Sequence, residues 1–401
     1  MRKFSGYKFL PALIFFLVCS SKLAAQDTII TPSIDISKIT YARSIYGLSA
    51  SAFINNNQSI EQLYPTLRFQ KGIQFDGNIP PKYVTRKPVL RFTVTNSSDS
   101  TVEVWFFPGF YYWNSTLYRK DADGLKKIPD QRPGINDNLS YCLISLQPHD
   151  STTIFAELSL VKTYINTMRP RLIHKLRIKS FVSDLQMDHL QPNMVTFLFS
   201  GLLLMMILFS IANYVQGGNK EFLYYSGYAL FLGGMLFTKA LYDFRSNPVS
   251  YFLESYLDFI MQGIGIMFYM VFMQVFLQTK QNHRFLHRLY NFGIVMLLLS
   301  LLAFSYLHYF SDNFSLQNLI ENLTKFLLLG MTIVFLVYGL RHWNDKLLRY
   351  LFWGNFCLFL FSMLSLMSLI LDMRILPGLL GSSLFHYEIG IFSNWCSSLS
   401  D

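Results

Sequence analysis

Residues 195–215 read VTFLFSGLLLMMILFSIANYV, twenty-one positions without one charged side chain. At about 1.5 Å per residue, a helix of that length matches the roughly 30 Å hydrocarbon core of a bilayer. The run is therefore read as a membrane-spanning helix. Five more follow it, at 222–241, 259–277, 292–309, 323–340 and 350–371. A seventh begins after Pro377-Gly378, passes through His386-Tyr387-Glu388 and runs out near Phe392, so its apolar part, 379–392, is too short to cross.

The whole chain agrees with this start. Of its 401 residues 52% are hydrophobic and only 14% charged, with a mean hydropathy of +0.30, whereas a soluble domain carries about 25% charged residues. The deficit is uneven. Residues 26–191 hold 19 Lys/Arg and 14 Asp/Glu, and 192–401 hold 11 and 10. The first part has the charge of a soluble domain; the second does not. The net charge of +10 is spread over the N-terminus, a mixed-sign domain and membrane loops. It forms no dense basic track, so nucleic acid is not expected as a partner.

The N-terminus has the plan of a secretory signal peptide over residues 1–25. Arg2, Lys3 and Lys8 precede an apolar stretch from Phe9 to Ser20, and Leu23-Ala24-Ala25 stands before Gln26. An uncleaved anchor is the alternative. Val18 argues against lipidation of Cys19. After cleavage the soluble part keeps one cysteine, Cys142, so no disulfide framework can brace it. Its 166 residues are enough for a hydrophobic core.

Residues 40–190 alternate with period two between turn residues, and helical periodicity is nearly absent from them. Leu90, Phe92 and Val94 alternate with Arg91, Thr93 and Thr95; Val102, Val104 and Phe106 follow the turn at Asn96-Ser97-Ser98-Asp99. Asp121-Ala122-Asp123-Gly124 reads as a hairpin loop between 117–119 and 126–128, and Ile154, Ala156, Leu158 and Leu160 form another apolar face. The expected fold class is an exported all-β sandwich, jelly-roll-like, at 26–191, followed by an all-α polytopic membrane bundle at 192–401.

Trp105-Phe106-Phe107-Pro108-Gly109-Phe110-Tyr111-Tyr112-Trp113 is the densest aromatic stretch. Two readings compete. Trp105, Tyr111, Tyr112 and Trp113 are candidate ligand-binding residues if their rings are exposed and stack on a sugar. In the other reading the rings fill the core.

Loop charge orients the bundle. With the sandwich outside, the inward loops carry Lys220, Lys280, Arg284, Arg288, Arg341, Lys346 and Arg349, against Lys239, Arg245, Lys325 and Arg374 outward. This positive-inside bias agrees with the signal peptide and predicts a multi-pass protein of the bacterial inner membrane with its N-terminal domain in the periplasm. Lys325 lies close enough to the outer interface to snorkel. His386 and Glu388 are intramembrane candidates, while Gly233-Gly234 and Gly263-x-Gly265 read as helix-packing glycines. His283 and His287 stand four apart in a basic loop and read as interfacial charge without a carboxylate partner.

No phosphate-binding glycine loop, zinc-binding histidine pair, nucleophile elbow or Cys-x-x-Cys occurs. No enzyme activity, cofactor or metal is expected.

Several pieces in order resemble one family. Val89-Leu90-Arg91-Phe92-Thr93-Val94-Thr95-Asn96 and Tyr118-Arg119-Lys120-Asp121-Ala122-Asp123-Gly124 resemble a strand and hairpin of the extracellular domain of the bacterial seven-transmembrane receptors with diverse intracellular signalling modules. Asn213, Glu221-Phe222-Leu223-Tyr224-Tyr225, Arg349-Tyr350-Leu351-Phe352-Trp353-Gly354 and His386-Tyr387-Glu388-Ile389-Gly390 resemble that family's bundle. The resemblance covers roughly 45–392. It implies a sensory receptor that binds an outside ligand, a small molecule or a carbohydrate, and relays it through the bundle to a kinase, cyclase or DNA-binding output. Homodimerisation is left open. A transporter or channel and a non-signalling membrane-anchored binding protein are the alternatives; the absence of an inverted repeat and of paired intramembrane charge counts against transport.

The chain is expected to be truncated in the seventh helix, before its output. One codon choice for 392–399, read from its third base, gives Leu-Glu-Leu-Val-Phe-Phe-Ser, an apolar continuation. A frameshift is the expected cause, and the downstream nucleotide sequence checks it.

Overall fold

A computed structural model describes residues 31–371 apart from 65, 74, 76, 77, 122 and 123. The signal segment 1–25, the seventh run at 379–392 with His386 and Glu388, and the C-terminal tail lie outside the described residues.

Alternation builds the first half. In β5 (Arg86–Thr95), Leu90, Phe92 and Val94 are fully buried, while Arg91, Thr93 and Thr95 remain partly exposed. β5 pairs antiparallel with β3 (Ala50–Asn55) and with β10 (Ser151–Leu160), Phe92 lying opposite Ile154. The sheet continues through β4 (Gln70–Lys71) on one side, and through β7 (Tyr112–Asp121) and β8 (Gly124–Lys127) on the other. The expected hairpin is that of β7 and β8, closing with Asp121 opposite Gly124. β1 (Ser33–Asp35) adds to β5 in parallel.

A second sheet orders β2 (Ala42–Ser44), β11 (Arg171–His174), β6 (Val102–Phe107) and β9 (Cys142–Leu146). The chain changes sheet at each step from β8 to β11, so the two sheets close over one core. Phe92 of the first sheet and Phe106 of the second stack there with centroids 5.4 Å apart. Burial of such rings contributes about 1.5–3 kcal/mol per side chain, and no disulfide assists: Cys142 is a buried free thiol. Its Sγ–H donates to the Ser115 carbonyl at 2.9 Å.

The second sheet is buried on both faces. Its outer face carries Trp105, Phe107, Tyr141 and Ile173, and a helix covers it with Ile178 and Phe181. That helix, α1 (Ile178–Gly217), is 40 residues long and is capped by left-handed Gly218. Ile178, Phe181, Val182 and Leu185 have the spacing of one helical face. Helical periodicity thus begins inside 40–190, and the division at 191/192 falls within a continuous helix. The same element packs on the sheet and then enters the apolar part.

α2 (Lys220–Tyr242), α3 (Pro248–Phe276), α4 (Arg284–Phe310), α5 (Phe314–Arg341) and α6 (Lys346–Leu371) run alternately toward and away from the sandwich. α3 contains a π-helical turn at Leu253–Leu257. Among the described residues, five stretches are long and apolar enough to cross a membrane: Asn193–Gly217 of α1, Pro248–Phe276, Arg284–Phe310, Phe314–Arg341 and Lys346–Leu364. The sequence alone suggested six. The remaining helix, α2, has 23 residues and spanning length, but Tyr224, Tyr225, Tyr228 and Lys239 dilute its apolarity. The glycine pairs serve packing: a Cβ on Gly263 would meet Leu301 at 2.7 Å, and one on Gly233 would meet Leu203 at 3.1 Å.

The sandwich is seated on the helix ends. Phe314, at the start of α5, belongs to the sandwich core. The Lys162 ammonium donates to the carbonyls of His308 (3.0 Å) and Ser311 (2.7 Å), where a helix C-terminus presents partial negative charge. Ser140 and Tyr251 join their hydroxyls at 2.9 Å, and Asn247 donates to Asp137 at 2.7 Å.

Candidate functional site

The head of α3 is built by local rules. Asn247 accepts the Ser250 N–H as N-cap and Pro248 occupies the first turn. The π turn that follows carries Glu254, and single π turns recur at functional positions.

Glu254 is the meeting point of three elements. Thr163, in the loop after β10, donates its hydroxyl to Glu254 at 3.3 Å. Lys239 of α2 stands 3.5 Å from Glu254 and 2.6 Å from Asp258, one turn further along α3. A second pair stands on α5, with Lys325 Nζ 2.6 Å from Glu321. Lys325 does not act as an isolated snorkelling charge: it is paired, and it lies 5.8 Å from the ring centroid of Tyr164, the residue after Thr163. Tyr164 is within electrostatic reach of both pairs. The short loop 162–164 therefore touches α4, α3 and α5 with three consecutive side chains.

Beneath this loop lies a cavity of about 610 Å³. Its upper wall includes both ion pairs and the amides of Gln262, Asn318 and Asn322. Its deeper wall is apolar and aromatic, with Leu236, Met270, Met331 and Phe335 beside Tyr228 and Tyr290. Tyr269, also on the wall, donates to Asn355 of α6 at 2.9 Å. The volume is in the range of small-molecule sites, about 300–1,000 Å³. Two partly buried Lys–carboxylate pairs stand on this wall, the Lys239 and Lys325 side chains keeping 19% and 34% of their surface, where the sequence alone showed no paired charge within the spans.

The four aromatic candidates are not brought together on one surface. Trp105 is buried under α1, and its indole N–H donates to the Lys175 carbonyl at 3.3 Å. Tyr112 is inside the sandwich and its hydroxyl donates to the Thr167 carbonyl at 3.0 Å. Tyr111, held at a left-handed φ of +66° after Gly109, is buried against Tyr251 of α3. Of the four, Trp113 alone is exposed, keeping 43% of its surface, and it makes a T-shaped contact with Tyr251 at 5.2 Å. The segment thus supplies the core and the seat for α3, because its strand places alternate rings on opposite faces and both faces are covered.

Asp243, just past the end of α2, is half-buried; burial raises its carboxyl to about 6, against the opposing pull of Lys239. Burial also pushes the Tyr111 phenol well above its ordinary value.

At the opposite end of the bundle His283 does have a carboxylate partner. Its Nε2 lies 3.2 Å from Asp345 and its Nδ1 3.1 Å from the Tyr338 hydroxyl. The partners are 55 and 62 residues away, and the sequence contains no local signal that joins them. The same holds for Lys239, Glu254 and Asp258, which occupy different helices or turns. Among the described residues no group of three His, Cys, Asp or Glu side chains is placed to hold a metal.

A two-sheet β domain seated on a polytopic helix bundle, with a charged cavity at the junction, defines a multi-pass membrane protein with a β domain at one end of its helices. Residues 192–394, just over half of the chain, match the family described as 7TM diverse intracellular signalling, and the chain belongs to that family. No curated protein matches the chain.

Proposed function

We propose that the chain is the sensory part of a membrane receptor: the β-sandwich takes up a small ligand, and the loop 162–164 hands the resulting shift to the helices. The observation that carries this reading is the contact of Thr163 with Glu254, set between the hold of Lys162 on the end of α4 and the placement of Tyr164 beside Lys325. One loop movement would load three helices at once. A ligand can move such an equilibrium only through different affinity for two arrangements, and paired charges in low dielectric distinguish sharply between made and broken contacts.

The orientation proposed is sandwich in the periplasm and bundle in the inner membrane, supported by the excess of Lys and Arg at the far end. A carbohydrate is the ligand class proposed for the sandwich, and Trp113 is the exposed ring of the four candidates.

The test uses the full chain in lipid nanodiscs, with hydrogen exchange measured against a panel of mono- and oligosaccharides. Protection near Trp113, with altered exchange at 160–165 and at the far-end loops 277–284 and 341–346, is the expected result. Saccharide binding with no change at the far end would overturn signalling through the bundle. Saccharide uptake into proteoliposomes would establish transport instead.

A further inference from the structure

The cavity lies between the helices and the underside of the sandwich, its lining does not include Trp113, and its chemistry differs from that of a sugar site. From its walls we infer that it is a second ligand site, one that takes a small zwitterion with an apolar body: an amino acid of large apolar side chain or a short apolar peptide free at both ends.

Charge comes first. The upper wall presents both signs in pairs, Lys239 with Asp258 and Glu254, and Lys325 with Glu321. A monoanion drawn to Lys325 would compete with Glu321 and leave that carboxylate short of its partner. A monocation would do the same to a lysine. Leaving one member of a partly buried pair uncompensated is unfavourable, most so for Glu254, whose side chain is 6% exposed. A ligand that brings an ammonium and a carboxylate together replaces what it displaces: its carboxylate turns to a lysine and its ammonium to the carboxylate that lysine releases. The two pairs share one cavity, and Asp258 is within electrostatic reach of Lys325. Both ends of one small molecule can therefore be served.

The remaining wall selects the body. Met270, Met331 and Phe335 offer apolar contact deeper in the cavity, and methionine adapts to irregular shapes. The amides of Asn318 and Asn322 on the polar side suit a peptide group, which both donates and accepts. A saccharide would leave the apolar part unfilled and bring no charge to the pairs. A simple hydrocarbon would leave the polar wall without partners.

The roof of the cavity is the loop Lys162-Thr163-Tyr164 itself. An occupant would thus touch the segment that seats the sandwich on the helices. The inference does not depend on carbohydrate binding by the sandwich, and either can fail alone.

The experiment is a competition assay on the full chain in nanodiscs, with tritiated phenylalanyl-leucine as the probe. Competitors are L-phenylalanine, unlabelled phenylalanyl-leucine, its N-acetyl form, its C-terminal amide and seryl-serine. The expected result is saturable binding, with the N-acetyl, amide and seryl forms each at least about tenfold weaker than the unlabelled probe. The E321Q/K325M double variant removes one pair without leaving an orphan charge. It should flatten the preference for the free carboxylate over the amide while the chain remains folded. Because the competitor series uses the unaltered chain, it decides the matter even if that variant does not fold. Absence of saturable binding up to millimolar probe, or equal competition by the free, N-acetyl and amide forms, would overturn the proposal. A saccharide-driven exchange change at the far end would be unaffected by either outcome.

Discussion

Thr163 and Glu254 are joined by a single hydrogen bond of 3.3 Å that crosses from the β-sandwich to the π-helical turn of α3. Both side chains are largely enclosed, and Glu254 is also held by Lys239. The bond is the smallest unit of the contact through which the sandwich can act on the helices.

Replacing Thr163 by Val keeps the shape and deletes the donor. A hydrogen bond to a charged group contributes about 1.5–3 kcal/mol, so T163V should lower stability by an amount at or below that range, since Lys239 remains. The more telling measurement is hydrogen exchange at 250–258, which should rise in T163V and return toward the parent in T163S. Unchanged exchange in that turn would show that the contact does not hold α3.

The second expectation concerns pH. The carboxyl of Asp243 is raised by burial to about 6, above the unfolded value of about 3.9. The folded chain therefore holds this proton more tightly than the unfolded chain. Its contribution to stability is full below about pH 4, declines as pH rises, and is lost above about pH 6. The stability of D243N relative to the parent should accordingly increase between about pH 4.5 and about pH 7.5, read as the difference between thermal midpoints in nanodiscs. A gap constant with pH would refute the assignment.

At the far end, Asp345 performs two tasks: it meets His283 at 3.2 Å, and its other oxygen accepts the Leu348 N–H at 3.3 Å at the start of α6. Loss of a cap costs about 0.5–2 kcal/mol. D345A should therefore destabilise by about 2 kcal/mol once the histidine contact is included, whereas D345N should retain most of the cap. A double-mutant cycle with H283A isolates the contact between the two loops, and a coupling energy near zero would mean that they are merely adjacent.

Cys142 offers a check on the sandwich core. Burial pushes its thiol up to about 12, and the thiolate is the form that alkylating reagents attack. At about pH 8 iodoacetamide should leave Cys142 unmodified in the folded chain and modify it after denaturation, as followed by peptide mass spectrometry. Rapid labelling of the folded chain at this position would show the core to be open.

Much of the architecture was legible in the sequence. Burial of Leu90, Phe92 and Val94 follows from period two, and the apolar run 195–215 lies within a helix. The start of α1 was missed, because the helical spacing of Ile178, Phe181, Val182 and Leu185 is short and borders strong strand patterning. The aromatic stretch announced itself without saying where its rings would go. Trp105 and Tyr112 are covered from different sides, which depends on α1 lying over one sheet and the second sheet lying over the other face.

Hydropathy and periodicity are properties of neighbours along the chain, so the sequence by itself determined the division into a sandwich and a helix bundle. The candidate site is a property of neighbours in space. Lys239 meets Glu254 and Asp258, and His283 meets Asp345, only because the helices cross with particular rotations and offsets. Those are settled by side-chain packing such as Leu203 against Gly233 and Leu301 against Gly263. Glu321 and Lys325, one helical turn apart, pair by local spacing; the pairing of Lys239 with Glu254 and Asp258, and the gathering of both pairs on one cavity, were decided by the tertiary structure.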